Sequence, residues 1–525
     1  AQGASAATAP RLTTVSRATA QDLAPTRTYT APSLLLDPDD PTRVFAAAAE
    51  LRTRTCHLLR SDDAGQNWRL LRASPSSTSY PFCSTSSGML TQTPMAWGRD
   101  RTLYLATSGW DTPDGGPGGM VSVVLSRSTD LGETWQQTVV RDARGRTGPA
   151  VESHNAVAAV VVDPSGPQDI VYVGWRASYP NAPTLPGGLR ALRPPLLAVS
   201  EDGGRSFAEP VDVSASYAPK FKAADGTELP IGMGFTAPSL ALDGDGTLYA
   251  LYPAAAPSAF PPASAPPELP MLLAKSTDRG RTFSFTEAVP RLAHNEGVQI
   301  LRWTRQGGAR GTLHMIFEDK PDQPRNGADR DIFHARSTDG GATFSAPRRL
   351  NDDDPAQLRV QVTPNLAVTD DGRVEAVWWD FRHDRGSFVN DVYAAYSTDN
   401  GSTWSANLRL SDQSVDRRLG VWSNGYDIRQ PPGIAAAPEL SVVAWDDTRL
   451  GNAVTESQDI FARALQYEPL GAGGAAAARY LLAGAAGLAA VGLILVVASR
   501  RGPLAATPRA REAQPATAGT GRAAP

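Results

Sequence analysis

The chain has 525 residues, 41% of them hydrophobic, with 47 glycines, 43 prolines, two cysteines and a net charge of −4. That length supplies a large core, and the nearly balanced charge excludes the basic stripe that a nucleic-acid surface needs. Long helical periodicities are absent before residue 470, so the glycines and prolines punctuate strands.

Residues 1–11 are small and polar, the expected mature end left by signal-peptide cleavage. Leu12 to Ala18 then reads as an isolated strand. From there a short turn recurs six times, in the form Ser-x-Asp-x-Gly-x-x-aromatic. Its copies start at Ser61, Ser128, Ser200, Ser276, Ser337 and Ser397, spaced by 67, 72, 76, 61 and 60 residues. Their acids are Asp63, Asp130, Asp202, Asp278, Asp339 and Asp399. Ser and Asp side chains close such a turn on backbone amides, and glycine accepts the positive φ of a tight hairpin. The aromatic opens the returning strand. Six copies make the turn a structural staple and predict a radial or stacked repeat architecture.

Around each staple four short apolar runs recur. In unit 4 they are Ala237 to Leu242, Leu248 to Tyr252, Met271 to Lys275 and a strand near Phe285 to Val289. Unit 6 repeats them at Asn365 to Val368, Val374 to Trp379, Val392 to Tyr396 and a run ending at Leu410. First strands start near Ser33, Met95, Val157, Ser239, Val298, Asn365 and Ile434, giving seven units. The seventh, with Leu440 to Trp445 and Ile460 to Leu465, has no staple and no fourth strand. Leu12 to Ala18 is available to close it. The fold predicted is therefore all-β, a seven-bladed propeller over residues 12–467, with six blades as the alternative.

Cys56 and Cys83 both fall near one end of unit 1 and can pair in an oxidising compartment; two buried thiols are the alternative. Two cysteines and scattered histidines give no zinc spacing. The acidic turn Asp352-Asp353-Asp354 offers oxygen ligands of the calcium kind, a solvated loop being the commoner reading. No metal or other cofactor is expected.

The connections from strand two to three, and from blade to blade, open on the face opposite the staples, where function is expected. On that face the pattern Trp-x-Asp-x-Arg ends strand two at Trp378, Asp380, Arg382 and at Trp445, Asp447, Arg449. A partial copy stands at Phe317 and Asp319, and Asp331, Asp391 and Asp459 open the strands that follow. Repetition favours a scaffold; the functional reading is a carboxylate–guanidinium cluster for a sugar or acidic ligand. The blade-entry segments add non-repeating candidates: Glu152, His154 and Asn155; His294, Asn295 and Glu296; Arg359 and Gln361; Tyr426, Asp427, Arg429 and Gln430.

Residues 468–479 read as a small-residue linker. Residues 480–499 form an uncharged stretch of 20, the length of a membrane-spanning helix. Arg500, Arg501, Arg509, Arg511 and Arg522 follow, so residues 500–525 are expected as a disordered cytoplasmic tail, with the propeller outside a plasma membrane.

The staples together with Trp-x-Asp-x-Arg and Asp-Ile-Phe segments resemble the bacterial sialidase-like family of Asp-box, or BNR-repeat, propellers, over about residues 12–467. The resemblance implies a propeller and, in sialidases, three arginines, a Tyr nucleophile activated by a Glu, and an acid Asp. The first of those arginines belongs to a Phe-Arg-Ile-Pro motif, whose nearest counterpart here is Tyr29-Thr30-Ala31-Pro32, with Thr30 in place of Arg. Phe235-Thr236-Ala237-Pro238 in unit 4 is nearly identical, so no catalytic residue is carried over. The expected function is a membrane-anchored surface module that binds a glycan or an envelope partner without chemistry. The alternatives are an exo-glycosidase of sialidase type working at the channel mouth and an accessory subunit of a membrane complex.

Overall fold

A computed structural model describes residues 13–14, 29–50, 55–73, 82–84, 95–110, 121–142, 159–177, 194–217, 219–222, 228–233, 237–255, 269–293, 297–319, 329–420, 431–452, 455 and 457–467. They build seven antiparallel blades. Blade 1 consists of Tyr29–Leu36, Val44–Glu50, Thr55–Ser61 and Arg69–Ala73. Blade 2 has Met95–Trp97, Leu103–Trp110, Val121–Ser128 and Gln136–Arg141. Ala159–Asp163, Ile170–Arg176, Pro195–Ser200 and Val211–Asp212 make blade 3. In blade 4 the order is Ser239–Leu242, Leu248–Ala255, Leu269–Ser276 and Ser284–Leu292. Blade 5 holds Gln299–Thr304, Thr312–Asp319, Asp331–Ser337 and Arg348–Arg349. Gln361–Val368, Val374–Asp380, Val389–Ser397 and Leu408–Arg409 form blade 6.

Blade 7 is made by both ends of the propeller. Gly433–Ala437, Leu440–Asp447 and Asp459–Gln466 are its first three strands, and Thr13–Thr14 is the fourth, Thr13 facing Ala462 and Thr14 facing Phe461. The strand expected at Leu12 to Ala18 thus closes the ring, over two residues. Innermost strands meet around the whole circle, 1 on 2 through to 7 on 1, which leaves no inner edge open.

In blades 1 and 6 the first strand runs longer than the sequence suggests. In blade 1 pairing starts at Tyr29 and in blade 6 at Gln361, each with a register shift, between Thr30 and Ser33 and between Val362 and Asn365. Proline lacks the ladder donor, so a bulge carries the strand past Pro32 and Pro364 instead of ending it. Thr363 takes the left-handed conformation there, at φ +49°.

The staples are alike to a few tenths of an ångström. Each serine Oγ donates to its Asp Oδ1 at 2.7–2.8 Å and accepts from the glycine N–H at 2.8–2.9 Å. The Asp then accepts both the amide and the side chain of the residue before the aromatic: Asn67, Thr134, Ser206, Thr282, Thr343 or Thr403. Burial pushes these carboxyls up, but the bonds outweigh it and hold them low, at about 2 in Asp202 and Asp339. In Asp278 the leading cause is the Thr282 hydroxyl, and the result is again about 2.

Staple glycines have φ between +78° and +87°, and each seals a seam by lying against the preceding blade. Gly132 meets Leu58, Gly204 Leu125, Gly280 Leu197 and Gly341 Leu273. Gly401 meets His334 instead. Blade 7 has no staple, and its seam with blade 6 is held otherwise. Buried Arg373 stacks on Tyr467, 3.7 Å from the ring centroid, and donates to Glu375 (2.8 Å), Pro438 O (2.6 Å) and Ala437 O (2.7 Å). Tyr467 and Ser441 hydroxyls donate to the other Glu375 oxygen, both at 2.8 Å.

Cys56 is buried on the third strand of blade 1, and no cysteine is free among the described residues. Cys83 lies in Phe82–Ser84, which pairs with Leu103–Trp110 and so belongs to the sheet of blade 2, not to the end of unit 1. Its side chain lies outside the described residues. Among the described residues no helix is long and apolar enough to cross a membrane. The span expected at 480–499, the linker and the tail lie outside them.

Candidate functional site

The face opposite the staples is described best in blades 5, 6 and 7. Of the sequence candidates, Glu152, His154, Asn155, Glu296, Tyr426 and Arg429 lie outside the described residues, as do His294, Asn295, Asp427 and Gln430. The others can be placed.

The two Trp-x-Asp-x-Arg motifs fold identically. Trp378 Nε1 donates to Asp380 Oδ2 at 3.0 Å, while the Arg382 amide (2.8 Å) and guanidinium (2.7 Å) close on the same carboxylate. Arg382 then stacks on Tyr393 at 4.0 Å and reaches Asp352 at 2.7 Å. In blade 7 Trp445 and Arg449 bind Asp447 in the same way, and Arg449 stacks on Phe461 and pairs with Asp412. Asp380 and Asp447 are buried. Burial lowers the affinity of Arg382 for its proton, but Asp380 and Asp352 raise it further, so the guanidinium stays charged.

A second repeat ties the fourth strand to the third, and the sequence reading missed it. Arg349 and Arg409 pair with Asp331 and Asp391 at 2.9 and 2.7 Å. Two residues on, Asn351 and Ser411 bond to the same carboxylates and accept the amides of Ile332 and Val392. The signal was present as Arg-Leu-Asn and Arg-Leu-Ser at one position of successive units. Asn351 also donates to Gln361 Oε1 and Asp353, and Gln361 donates back to Asp353 and Asp380. Arg359 donates to Arg382 O and Gln357 O. The acidic turn is thus committed: Asp352 to Arg382 and Asn407, Asp353 to Arg349 and Asn351, Asp354 to the Ala356 amide. Glu318, likewise buried, accepts the Val298 amide (2.7 Å) and Arg330 (3.3 Å). Among the described residues no group of His, Cys, Asp and Glu is arranged to hold a metal ion.

A further polar cluster on this face leaves several neighbouring polar atoms unbonded, beyond the single arginine Nε left in each Trp-x-Asp-x-Arg motif. It lies where blades 6, 7 and 1 meet. Val415–Asp416 pairs with the start of Val389–Ser397 and delivers Arg417 to the seam. The Arg417 guanidinium stacks on Trp379 at 4.2 Å, donates through Nε to Asn390 Oδ1 (2.9 Å) and through Nη1 to Asp446 Oδ2 (2.7 Å). Gln458 Nε2 donates to Asp446 Oδ2 (2.6 Å) and to Tyr29 O (3.2 Å). These bonds fix which end of each amide is oxygen and which nitrogen. The remaining ends have no partner: Arg417 Nη2, Asn390 Nδ2 and Gln458 Oε1 are all buried and unbonded. Asn390 and Gln458 are each 1% exposed and Arg417 3%. Tyr29 beside them bonds to His57 Nδ1 at 3.1 Å, and Thr55 to the other ring nitrogen at 3.2 Å.

The sequence reading reached none of Asn390, Arg417, Asp446 or Gln458. Asp446 is the variable residue inside Trp-x-Asp-x-Arg, and strand alternation turns it away from Asp447. Nothing in the spacing of the other three announces the cluster.

No protein-family model matches the chain, and no curated protein matches it. Solved structures that resemble it include a polysaccharide lyase of family PL25, an ulvan lyase, at 12% identity over 83% of this chain and 93% of that one (TM-score 0.46). The Hadza microbial sialidase Hz136 is similar at 15% identity over 82% and 73% of the two chains (TM-score 0.42). A Penicillium chrysogenum alpha-L-arabinanase shows 14% identity over 71% and 94% (TM-score 0.39). Nothing about activity follows from likenesses of this size.

Proposed function

We propose that this chain is a binding propeller that recognises a glycan, alone or on an envelope partner, at the mouth where blades 6, 7 and 1 meet, and performs no chemistry on it. One contrast carries the reading. Among the described residues Asp331, Asp353, Asp380, Asp391, Asp446, Asp447 and Glu318 are all held by arginine, amide or indole donors, whereas Arg417 Nη2, Asn390 Nδ2 and Gln458 Oε1 are left without partners. Carboxylates locked into ion pairs suit a scaffold; a glycosidase needs a carboxyl free to give and take a proton. Unpaired donors and acceptors suit recognition.

The surface setting is part of the same proposal. Residues 480–499 would cross the plasma membrane, with the basic tail in the cytoplasm and the propeller outside. An oxidising exterior would pair Cys56 with Cys83. The test is a panel of fluorogenic glycosides, sialosides included, run beside a glycan array on the full chain in detergent. Array binding without turnover is expected; turnover of any glycoside in proportion to enzyme would establish a hydrolase instead.

A further inference from the structure

Resting on that reading, we infer that the ligand group seated between Asn390, Arg417 and Gln458 is an uncharged pair of hydroxyls on a neutral sugar, not a carboxylate. The charge balance comes first. Arg417 is neutralised within the cluster by Asp446 at 2.7 Å, and Asp446 takes a second bond from Gln458. An incoming anion would find no uncompensated positive charge and would have to shed its hydration beside Asp446. The free valences come next. In a guanidinium the Nε–H and one hydrogen of Nη2 point the same way, and Nε–H points at Asn390. The vacant Nη2 donor therefore lies on the side of Asn390, whose Nδ2 is also vacant. Two adjacent donors fit one hydroxyl oxygen, and Gln458 Oε1 can accept the hydrogen of a hydroxyl.

Two further features border the cluster. A Cβ on Gly420 would stand 2.4 Å from Gln458 Oε1. Gly420 does not have a positive φ; glycine is called for because the chain packs closely against Gln458 Oε1 and Thr448 there. Phe388 is 38% exposed and its carbonyl accepts the Arg417 amide at 2.9 Å. That places a partly exposed ring two residues from Asn390, with the Arg418 guanidinium 5.9 Å from its centroid, a platform for the apolar face of a sugar.

The experiment measures binding of neutral galactose oligomers and of matched galacturonate oligomers to the full chain by calorimetry. It includes the variants Asn390→Asp and Phe388→Ala. Asn390→Asp keeps the oxygen that receives Arg417 Nε and replaces the free donor with a charged acceptor; Phe388 is a surface ring. The neutral oligomer is expected to bind at least about tenfold more tightly than its uronate. Asn390→Asp should lower its affinity about tenfold and Phe388→Ala by roughly threefold or more, with melting temperatures unchanged or raised. Uronate binding as tight as neutral binding, or Asn390→Asp binding like the parent, would overturn the inference and leave the glycan reading standing. A parent chain that binds neither oligomer, nor anything on the array, would overturn both and leave the three atoms to an internal water.

Discussion

Acid should weaken this propeller in a pH window set by two histidines. His334 stands where blades 1 to 4 place Leu58, Leu125, Leu197 and Leu273, three residues before the staple serine. It is buried against Gly401 and bonds to His314 at 3.2 Å, and His314 bonds to Asn400 at 3.0 Å. Burial holds His314 down to about 4, against a smaller upward pull from Asn400, and Arg336 adds to the depression. Burial also drives His334 well down, helped by His314, Arg336 and Arg348. Both rings are therefore neutral in the fold and become charged in the unfolded chain near pH 6.5. The unfolded state binds the protons first, so stability falls as pH drops from about 6.5 towards 4. With about 1.4 kcal/mol per pH unit, His314 alone costs about 2 kcal/mol between pH 7 and 4.5, and His334 acts in the same direction. Urea unfolding at half-unit steps of pH measures this directly. His334→Leu, which restores the residue of blades 1 to 4, should make the slope shallower. A flat profile between pH 7 and 4.5, or a slope that His334→Leu leaves intact, would refute the reasoning.

Below that window the staples take over. The depressed Asp202, Asp278 and Asp339 carboxyls contribute stability that is present above about pH 4 and lost as pH falls through about 2; removing one staple acid, as in Asp399→Ala, should cost about 1–2 kcal/mol by urea titration at neutral pH. Glu375→Ala strips two hydroxyls and a buried guanidinium of their acceptor at the seam without a staple, so a larger loss, about 3–5 kcal/mol, is expected in the same assay. Deleting residues 1–20 removes Thr13 and Thr14 and bares the edge of Asp459–Gln466; light scattering should then rise with concentration where the parent stays clear. If Cys56 and Cys83 are joined, reduction should lower stability by about 3 kcal/mol, and a chain indifferent to reductant would dismiss the bond.

The architecture was legible because one turn carries its chemistry within eight residues. Serine, aspartate and glycine of the staple all bond locally, so the pattern survives in linear form. Even so, one partner went unread: the Asn, Ser or Thr before the aromatic closes every copy. In blades 1 and 6 the first strand begins four residues before the starts read at Ser33 and Asn365, because a bulge carries it past Pro32 and Pro364. The ring closure could be inferred from an incomplete seventh unit, a question of strand count. The site could not, because Asn390, Arg417, Asp446 and Gln458 come from two blades and a connecting segment. Only the register of Val415–Asp416 on blade 6 and of blade 7 against Tyr29 brings them together. Repeated residues such as Asp380 and Asp447 drew attention and proved to be enclosed by their own motif.

The central claim is recognition without turnover. The glycan that binds most tightly on an array would be incubated with an equimolar amount of the full chain, and its mass measured before and after. The account predicts that it is retained by the protein and recovered unchanged, with retention lost in Asn390→Asp. A glycan shortened by one residue, or eliminated at a linkage, would contradict it and make the propeller an enzyme.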